Sequence, residues 1–174
     1  MKQLLIIGLL CLSTFVAAND ALESALTRVG QKAPYFKVRT IEGGEFDLDD
    51  LKGRVILLNF FATWCAPCLD ELPHLELDIW QKFRNEDFIV IAVGREHTKR
   101  DLVKFTNVVE FTFPIVPDPL REIYSKFATK YIPRNVVIDQ SGEIIYQSVG
   151  YTQDEFEKMV ELIEKMLNVR DKGF

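Results

Sequence analysis

The 174-residue chain carries 21 basic and 26 acidic residues, a formal net charge of −5, with 48% hydrophobic and 27% charged residues. That balance is globular rather than disordered, and the length suits a single domain. An acidic chain without a basic run or a repeat is a poor partner for nucleic acid or anionic lipid.

Residues 1–18 have the three-part pattern of a secretory signal. Lys2 precedes an apolar run from Leu4 to Phe15, and Val16-Ala17-Ala18 offers the small residues at which a signal peptidase cuts. The run is shorter than the roughly 20 residues that cross a bilayer. Cleavage near Ala18 and a periplasmic location are therefore expected, with a retained anchor facing the periplasm as the alternative. A lipid on Cys11 is disfavoured because Leu10, not a small residue, precedes it. Cleavage would leave Cys65 and Cys68 as the only cysteines and a chain one unit more negative.

Residues 19–29 read as a lead-in, a short helix or a loosely held segment, and residues 30–174 as the domain. Phe36 to Thr40 and Glu45 to Asp47, joined through Glu42-Gly43-Gly44, predict a β-hairpin. Asp47 is placed to cap a helical turn through Leu51, closed by Gly53. Val55 to Phe61 (VILLNFF) and Phe88 to Val93 (FIVIAV) are nearly all apolar, as strands buried on both faces are. Between them a helix is expected from Cys65 to about Asn85, kinked at Pro73.

Thr98 and Asp101 form a capping-box pattern for a helix to about Asn107. Ile115-Val116 is a short strand and Leu120 to Thr129 a helix. Asn135 to Ile138 and Glu143 to Val149 are paired strands. Thr152 caps a last helix whose Phe156, Met159, Val160, Ile163 and Leu167 share a face. A hairpin followed by β-α-β-α-β-α and β-β-α predicts an α/β fold, a central mixed sheet with helices on both sides.

Ala62-Thr63-Trp64-Cys65-Ala66-Pro67-Cys68 leaves the first buried strand and opens the helix after it. Two cysteines so spaced at a helix start can close a disulfide within one turn. The unpaired N–H groups and positive dipole end of the helix stabilise a thiolate and lower its pKa. Cys65, nearer that end and solvent, is expected to attack. Cys68, one turn in, is expected to resolve the mixed disulfide by attacking the Cys65 sulfur. Pro67 limits the backbone between them, and Trp64 is expected to pack beside the thiols and shield them.

A purely structural disulfide across three residues gains little, about 2 kcal/mol in the loop-entropy model. A zinc site lacks a second ligand pair, since His74 and His97 stand alone, and haem attachment would need a histidine where Leu69 stands. Redox exchange through the cysteine pair itself, with no cofactor and no metal, is the expectation. The two histidines are read as exposed side chains.

The Trp-Cys-Ala-Pro-Cys segment resembles the thioredoxin active site. Its surroundings resemble the TlpA/ResA-like branch of exported thiol–disulfide oxidoreductases, which is related to AhpC/TSA-type thioredoxin-like domains. Gly30-Gln31-Lys32-Ala33-Pro34-Tyr35-Phe36 is similar to the opening of that branch. Tyr131-Ile132-Pro133-Arg134-Asn135-Val136-Val137-Ile138-Asp139 is similar to the segment that carries its cis-proline. The likeness runs from about Gly30 to Leu167.

It implies a thioredoxin fold extended by an N-terminal hairpin and an inserted βα segment. It also implies that Pro133 follows a cis bond, an uncommon arrangement, and lies against the cysteines. Ile132 would then offer its backbone to an extended substrate. Glu71, three residues after Cys68 on the same helical face, matches an active-site glutamate of ResA-like proteins and could take the Cys68 proton. Thioredoxin has a buried aspartate where Asn59 stands, and an asparagine cannot titrate. Arg134 and Tyr131 replace residues that are usually small, and would set a cation and an aromatic ring beside the thiols.

The resemblance further implies a monomeric reductase of protein disulfides, fed electrons by a membrane donor and serving cytochrome c maturation. Two other functions compete. A peroxiredoxin-like peroxidase needs a proline and a threonine where Leu58 and Ala62 stand. A copper metallochaperone needs a wider cysteine spacing and a third ligand.

Overall fold

In the computed structural model, residues 23–168 are described; the expected signal lies outside them. The order is β1 (Lys37–Arg39), β2 (Glu45–Asp47), β3 (Val55–Phe61), α1 (Ala66–His74), β4 (Phe88–Arg95), α2 (Lys99–Thr106), β5 (Ile115–Asp118), β6 (Arg134–Ile138), β7 (Ile144–Val149) and α3 (Gln153–Asn168). β1 and β2 form the expected hairpin. The other five strands form one sheet in the order β5-β4-β3-β6-β7, with β3, β4 and β5 parallel and β6 and β7 antiparallel. This is the thioredoxin fold with its hairpin extension.

β3 lies at the centre, every residue buried, and strand alternation divides its side chains between two cores. Val55, Leu57 and Phe61 face Cys68, Leu72, Leu75 and Ile79, together with Leu102 of α2 and Phe156, Met159 and Ile163 of α3. Ile56, Leu58 and Phe60 face Phe36, Val38, Leu51, Tyr124 and Phe127. The three helices named above pack on the first face. Among the described residues, the second face is covered by the hairpin and a 3₁₀ turn, Tyr124–Lys126.

That turn replaces the helix expected over 120–129, so the inserted segment is β5 followed by one tight turn. The Asp118 carboxylate accepts from the backbone N–H groups of Ile123 and Tyr124 at 3.2 and 2.9 Å. Arg121 is left-handed at φ 60, so a continuous right-handed run cannot form. Asp47 likewise caps only a turn, accepting from Asp49 N–H at 3.0 Å, and no helix follows.

Beyond Pro73 the helix continues without breaking. It widens into a π turn over Leu75–Trp80, where Gln81 N–H reaches Glu76 O, and closes with an α turn, Gln81–Phe83. The missing N–H of proline makes such a change of winding easy. The capping box of α2 forms as expected between Thr98 and Asp101. Gly94 in β4 lets α2 approach closely, since a Cβ there would lie 2.7 Å from Leu102 Cδ2.

Of the lead-in, only residues 23–29 are described: residue 23 is helical, and the stretch after it is pinned to the domain. Ala25 bridges Ala128, Leu26 N–H donates to Phe127 O, and Ser24 and Thr27 are buried. Farther on, Gly30 N–H donates to Ile144 O and Ile144 N–H to Gln31 O at the outer edge of β7. At the opposite edge, Ile41 N–H donates to Ile115 O of β5.

Candidate active site

Cys65 is the N-cap of α1, extended at φ −92 and ψ 103, with Ala66 and Pro67 in the first turn. Proline is tolerated there because that N–H has no helical partner. Cys65 O accepts from the N–H groups of Cys68 and Leu69 at 3.0 and 3.1 Å. Cys65 and Cys68 form a disulfide with Cα atoms 5.3 Å apart. Cys65 is 7% exposed and Cys68 fully buried, so attack from solvent meets the Cys65 sulfur.

The Ile132–Pro133 bond is cis. Ile132 O lies 3.7 Å from Cys65 Sγ, which sets the cis-proline loop against the disulfide. The loop is held from behind: Tyr124 Oη–H donates to Tyr131 O at 2.8 Å, and Gly150 N–H donates to Pro133 O at 2.9 Å. Pro67 is exposed, and Trp64 does not pack down over the sulfurs as expected. Its side chain is 62% exposed, with the Arg95 guanidinium 5.9 Å from its ring.

Glu71 is buried to 2% exposure. Its Oε2 accepts from Asn59 Nδ2 at 2.9 Å and its Oε1 from Asn135 Nδ2 at 2.6 Å. Asn59 Nδ2 also donates to Asn135 Oδ1 at 2.8 Å, so one carboxyl and two amides close a ring. Burial pushes the Glu71 pKa up from 4.5 to about 7, and the two amide donors pull the other way without restoring it. Asn59 Oδ1 is buried without a partner among the described residues. Asn135 was not anticipated. It stands directly opposite Asn59 in the β3–β6 register. Its signal is an amide in a strand otherwise built of buried residues.

His97 departs from the expected exposed position. It is 8% exposed, and its Nε2 accepts from Thr63 N–H at 2.9 Å, two residues before Cys65. Burial lowers its pKa, so the neutral ring is favoured, while Asp101 and Glu96 oppose that shift. His74 lies half-exposed, bonded to Asp78 and stacked on Tyr151.

Arg134 does not face the thiols. It is 1% exposed, and its Nη2 donates to Ser24 Oγ at 2.6 Å and Lys130 O at 3.3 Å. Tyr131 stays at the surface with 42% exposure. No three His, Cys, Asp or Glu side chains converge as metal ligands among the described residues.

A cysteine pair that opens a helix beside a cis-proline, at the end of a central strand, defines a thiol–disulfide oxidoreductase of thioredoxin fold. The chain belongs to the AhpC/TSA family, whose sequence profile matches residues 29–147. It is 30% identical over 131 residues to the thiol-disulfide oxidoreductase ResA of Bacillus thuringiensis strain Al Hakam, covering 75% of each protein. The solution structure of a proposed protein disulfide isomerase from Bacteroides thetaiotaomicron superposes with a TM-score of 0.80 at 34% identity. It covers 83% of this chain and 93% of that one. A proposed thiol:disulfide interchange protein DsbE from Chlorobium tepidum gives 0.70 at 29% identity, over 80% and 98%.

Proposed function

We propose that the protein is an exported, monomeric reductase of protein disulfides that works through Cys65, Cys68 and Glu71 without a cofactor. The Cys65 thiolate attacks a substrate disulfide, forming a mixed disulfide and releasing one substrate thiolate. Cys68 then passes its proton to Glu71 and attacks the Cys65 sulfur. That closes the Cys65–Cys68 bond and releases the second substrate sulfur as a thiolate. The substrate gains two electrons and the protein loses them, and a membrane donor of reducing equivalents restores the dithiol. Ile132, next to the buried Pro133, offers its backbone to the substrate, and exposed Trp64 and Pro67 border the approach. Cytochrome c maturation, which needs reduced haem-binding thiols, is the fitting pathway, in keeping with the ResA and DsbE names among its relatives.

The observation that carries this reading is the Glu71 carboxyl. It is buried, held by two neutral amides and raised to about 7, one helical turn past a cysteine that must lose a proton in a buried position. The apolar leader of residues 4–15 supports export, and N-terminal sequencing of secreted protein should begin near Asn19. The deciding experiment pairs alkylation with trapping. Cys65 of the reduced protein should label far faster than Cys68, Cys65→Ser should abolish disulfide reduction, and Cys68→Ser should accumulate mixed disulfides with protein substrates. Equal labelling of the two thiols refutes the assigned roles. A reduction potential close to about −270 mV supports a reductase, and one near about −120 mV an oxidase.

A further inference from the structure

Asn59 and Asn135 stand opposite each other on β3 and β6, and every amide hydrogen of the pair has a place. Asn59 Nδ2 gives one to Glu71 Oε2 at 2.9 Å and the other to Asn135 Oδ1 at 2.8 Å. Asn135 Nδ2 gives one to Glu71 Oε1 at 2.6 Å and points the other at Ser148 Oγ, 3.4 Å away. Each amide fixes the other. A reversed Asn59 would set its oxygen against the oxygens of Glu71 and Asn135. A reversed Asn135 would face Glu71 with an oxygen and Asn59 with a second donor. Asn59 Oδ1, buried and without a partner among the described residues, is what this orientation leaves over.

The ring fits one protonation state of Glu71. Both oxygens of the carboxyl accept from an amide, as those of an ionised carboxyl can. A protonated carboxyl carries an O–H on one oxygen, and that O–H meets an amide donor whichever oxygen bears it. Burial favours the acid form, and the two amides are the groups that favour the charged one among the described residues. Other titratable groups lie around the carboxyl. Tyr146 of β7 and Tyr151, just before α3, feel its charge, and both are raised above their ordinary 10. Glu155 of α3 pairs with Lys158. On α1 itself Cys68 stands one turn before Glu71, and His74, one turn after it, is bonded to Asp78.

We propose that Asn59 and Asn135 are positioning residues for Glu71, an interlocked pair of amides that keeps its carboxyl ionised near neutral pH. Asn135 acts by donating. Asn59 acts twice, by donating and by turning Asn135 so that it donates. The proposal rests on the reading of Glu71 as the acceptor of the Cys68 proton, and it adds what sets the pH at which Glu71 can accept.

The test follows the Glu71 carboxyl by carbon-13 NMR in the oxidised protein. In parallel it reads the pH profile of the step in which Cys68 resolves the mixed disulfide. Asn135→Leu keeps the volume and removes the donor. The carboxyl midpoint then rises by about one to two pH units, the worth of one hydrogen bond to a charged group. The midpoint of the resolving step rises with it, and the wild-type rate returns at higher pH. Asn59→Leu shifts the carboxyl at least as far. The double variant shifts it by less than the sum of the single shifts, because Asn59 works partly through Asn135. Asn135→Ala gives a shift in the same direction if the leucine variant does not fold. An unmoved carboxyl midpoint, even with resolution slowed at every pH, marks a merely structural amide and overturns the proposal. A double shift equal to the sum overturns the interlock. A carboxyl midpoint that rises while the resolving profile stays in place upholds the amide pair and overturns the reading of Glu71 as acceptor.

Discussion

Two neighbouring positions of β6 bear on buried ionisable groups that have no opposite charge beside them among the described residues: Asn135 meets Glu71, and Arg134, on the opposite face of the sheet, is itself such a group. Toward α1, Asn135 helps to satisfy Glu71 with an amide. On the other face, Arg134 finds Ser24 Oγ, Lys130 O and the Tyr124 hydroxyl, and its Nε has no partner among the described residues. Burial opposes the charged form in both. The carboxyl can answer by holding its proton, and its pKa moves to about 7. A guanidinium keeps its charge whatever its surroundings. The same problem thus leaves a titratable group on the side of the thiols and a fixed cation on the other.

The strongest way to break this contrast is Glu71→Gln, which keeps shape and removes the titration. The release step, read by stopped-flow decay of the mixed disulfide, should slow by roughly 10²–10⁴-fold, the range for a lost general base. Initial attack by Cys65 should change by no more than a few-fold. If both steps keep their rates, Glu71 is not the acceptor.

The same variant tests stability. A carboxyl raised from 4.5 to about 7 binds its proton more tightly folded than unfolded. Its contribution is therefore full below pH 4.5 and is lost as pH rises through 7, about 3 kcal/mol in all. Denaturant melts between pH 4 and 8 should show that slope in the wild type and a flatter one in Glu71→Gln.

Arg134 sharpens the other half. Ser24→Ala leaves a buried cation short of an acceptor and should cost about 2 kcal/mol. Arg134→Met removes the cation and should change stability by no more than about 1 kcal/mol. A larger loss in Arg134→Met than in Ser24→Ala would show that the charge itself is stabilising.

The smallest effect belongs to His97. Its depressed pKa means that its contribution is present above the ordinary 6.5 and fades as pH falls. Protonation turns Nε2 from acceptor to donor against Thr63 N–H. His97→Gln, which can still accept, should remove the acid-side part of the stability profile while leaving the Cys65 alkylation rate within a few-fold. A rate as slow as that of His97→Leu would mean that the imidazole does more than accept this bond.

The cysteine pair was legible because its chemistry is local: a buried strand, two cysteines and a helix start stand in one stretch of chain. Pro133 was legible only through resemblance, since no local rule reads a cis bond from Ile-Pro. Arg134 was misplaced by its nearness to Pro133 in sequence, although consecutive strand residues face opposite sides. Asn135 was missed because its meaning lies in register with Asn59, 76 residues away. His97 was missed because its bond to Thr63 spans 34 residues. The helix expected over 120–129 yielded to Asp118, whose side chain competes for the backbone donors a helix would use.

The backbone bonds at the two outer strands have a consequence for what the protein can capture. Residues 30–32 occupy part of the outer edge of β7, and Ile41 bonds to β5. Unpaired strand edges recruit other chains indiscriminately, into aggregates as readily as into complexes. Where the chain covers its own strand edges in this way, an extended visitor finds fewer free backbone groups to pair with at the rim of the sheet. The backbone carbonyl of Ile132, beside the Cys65 sulfur, lies away from both of those edges, on the loop that leads into β6 next to the central strand.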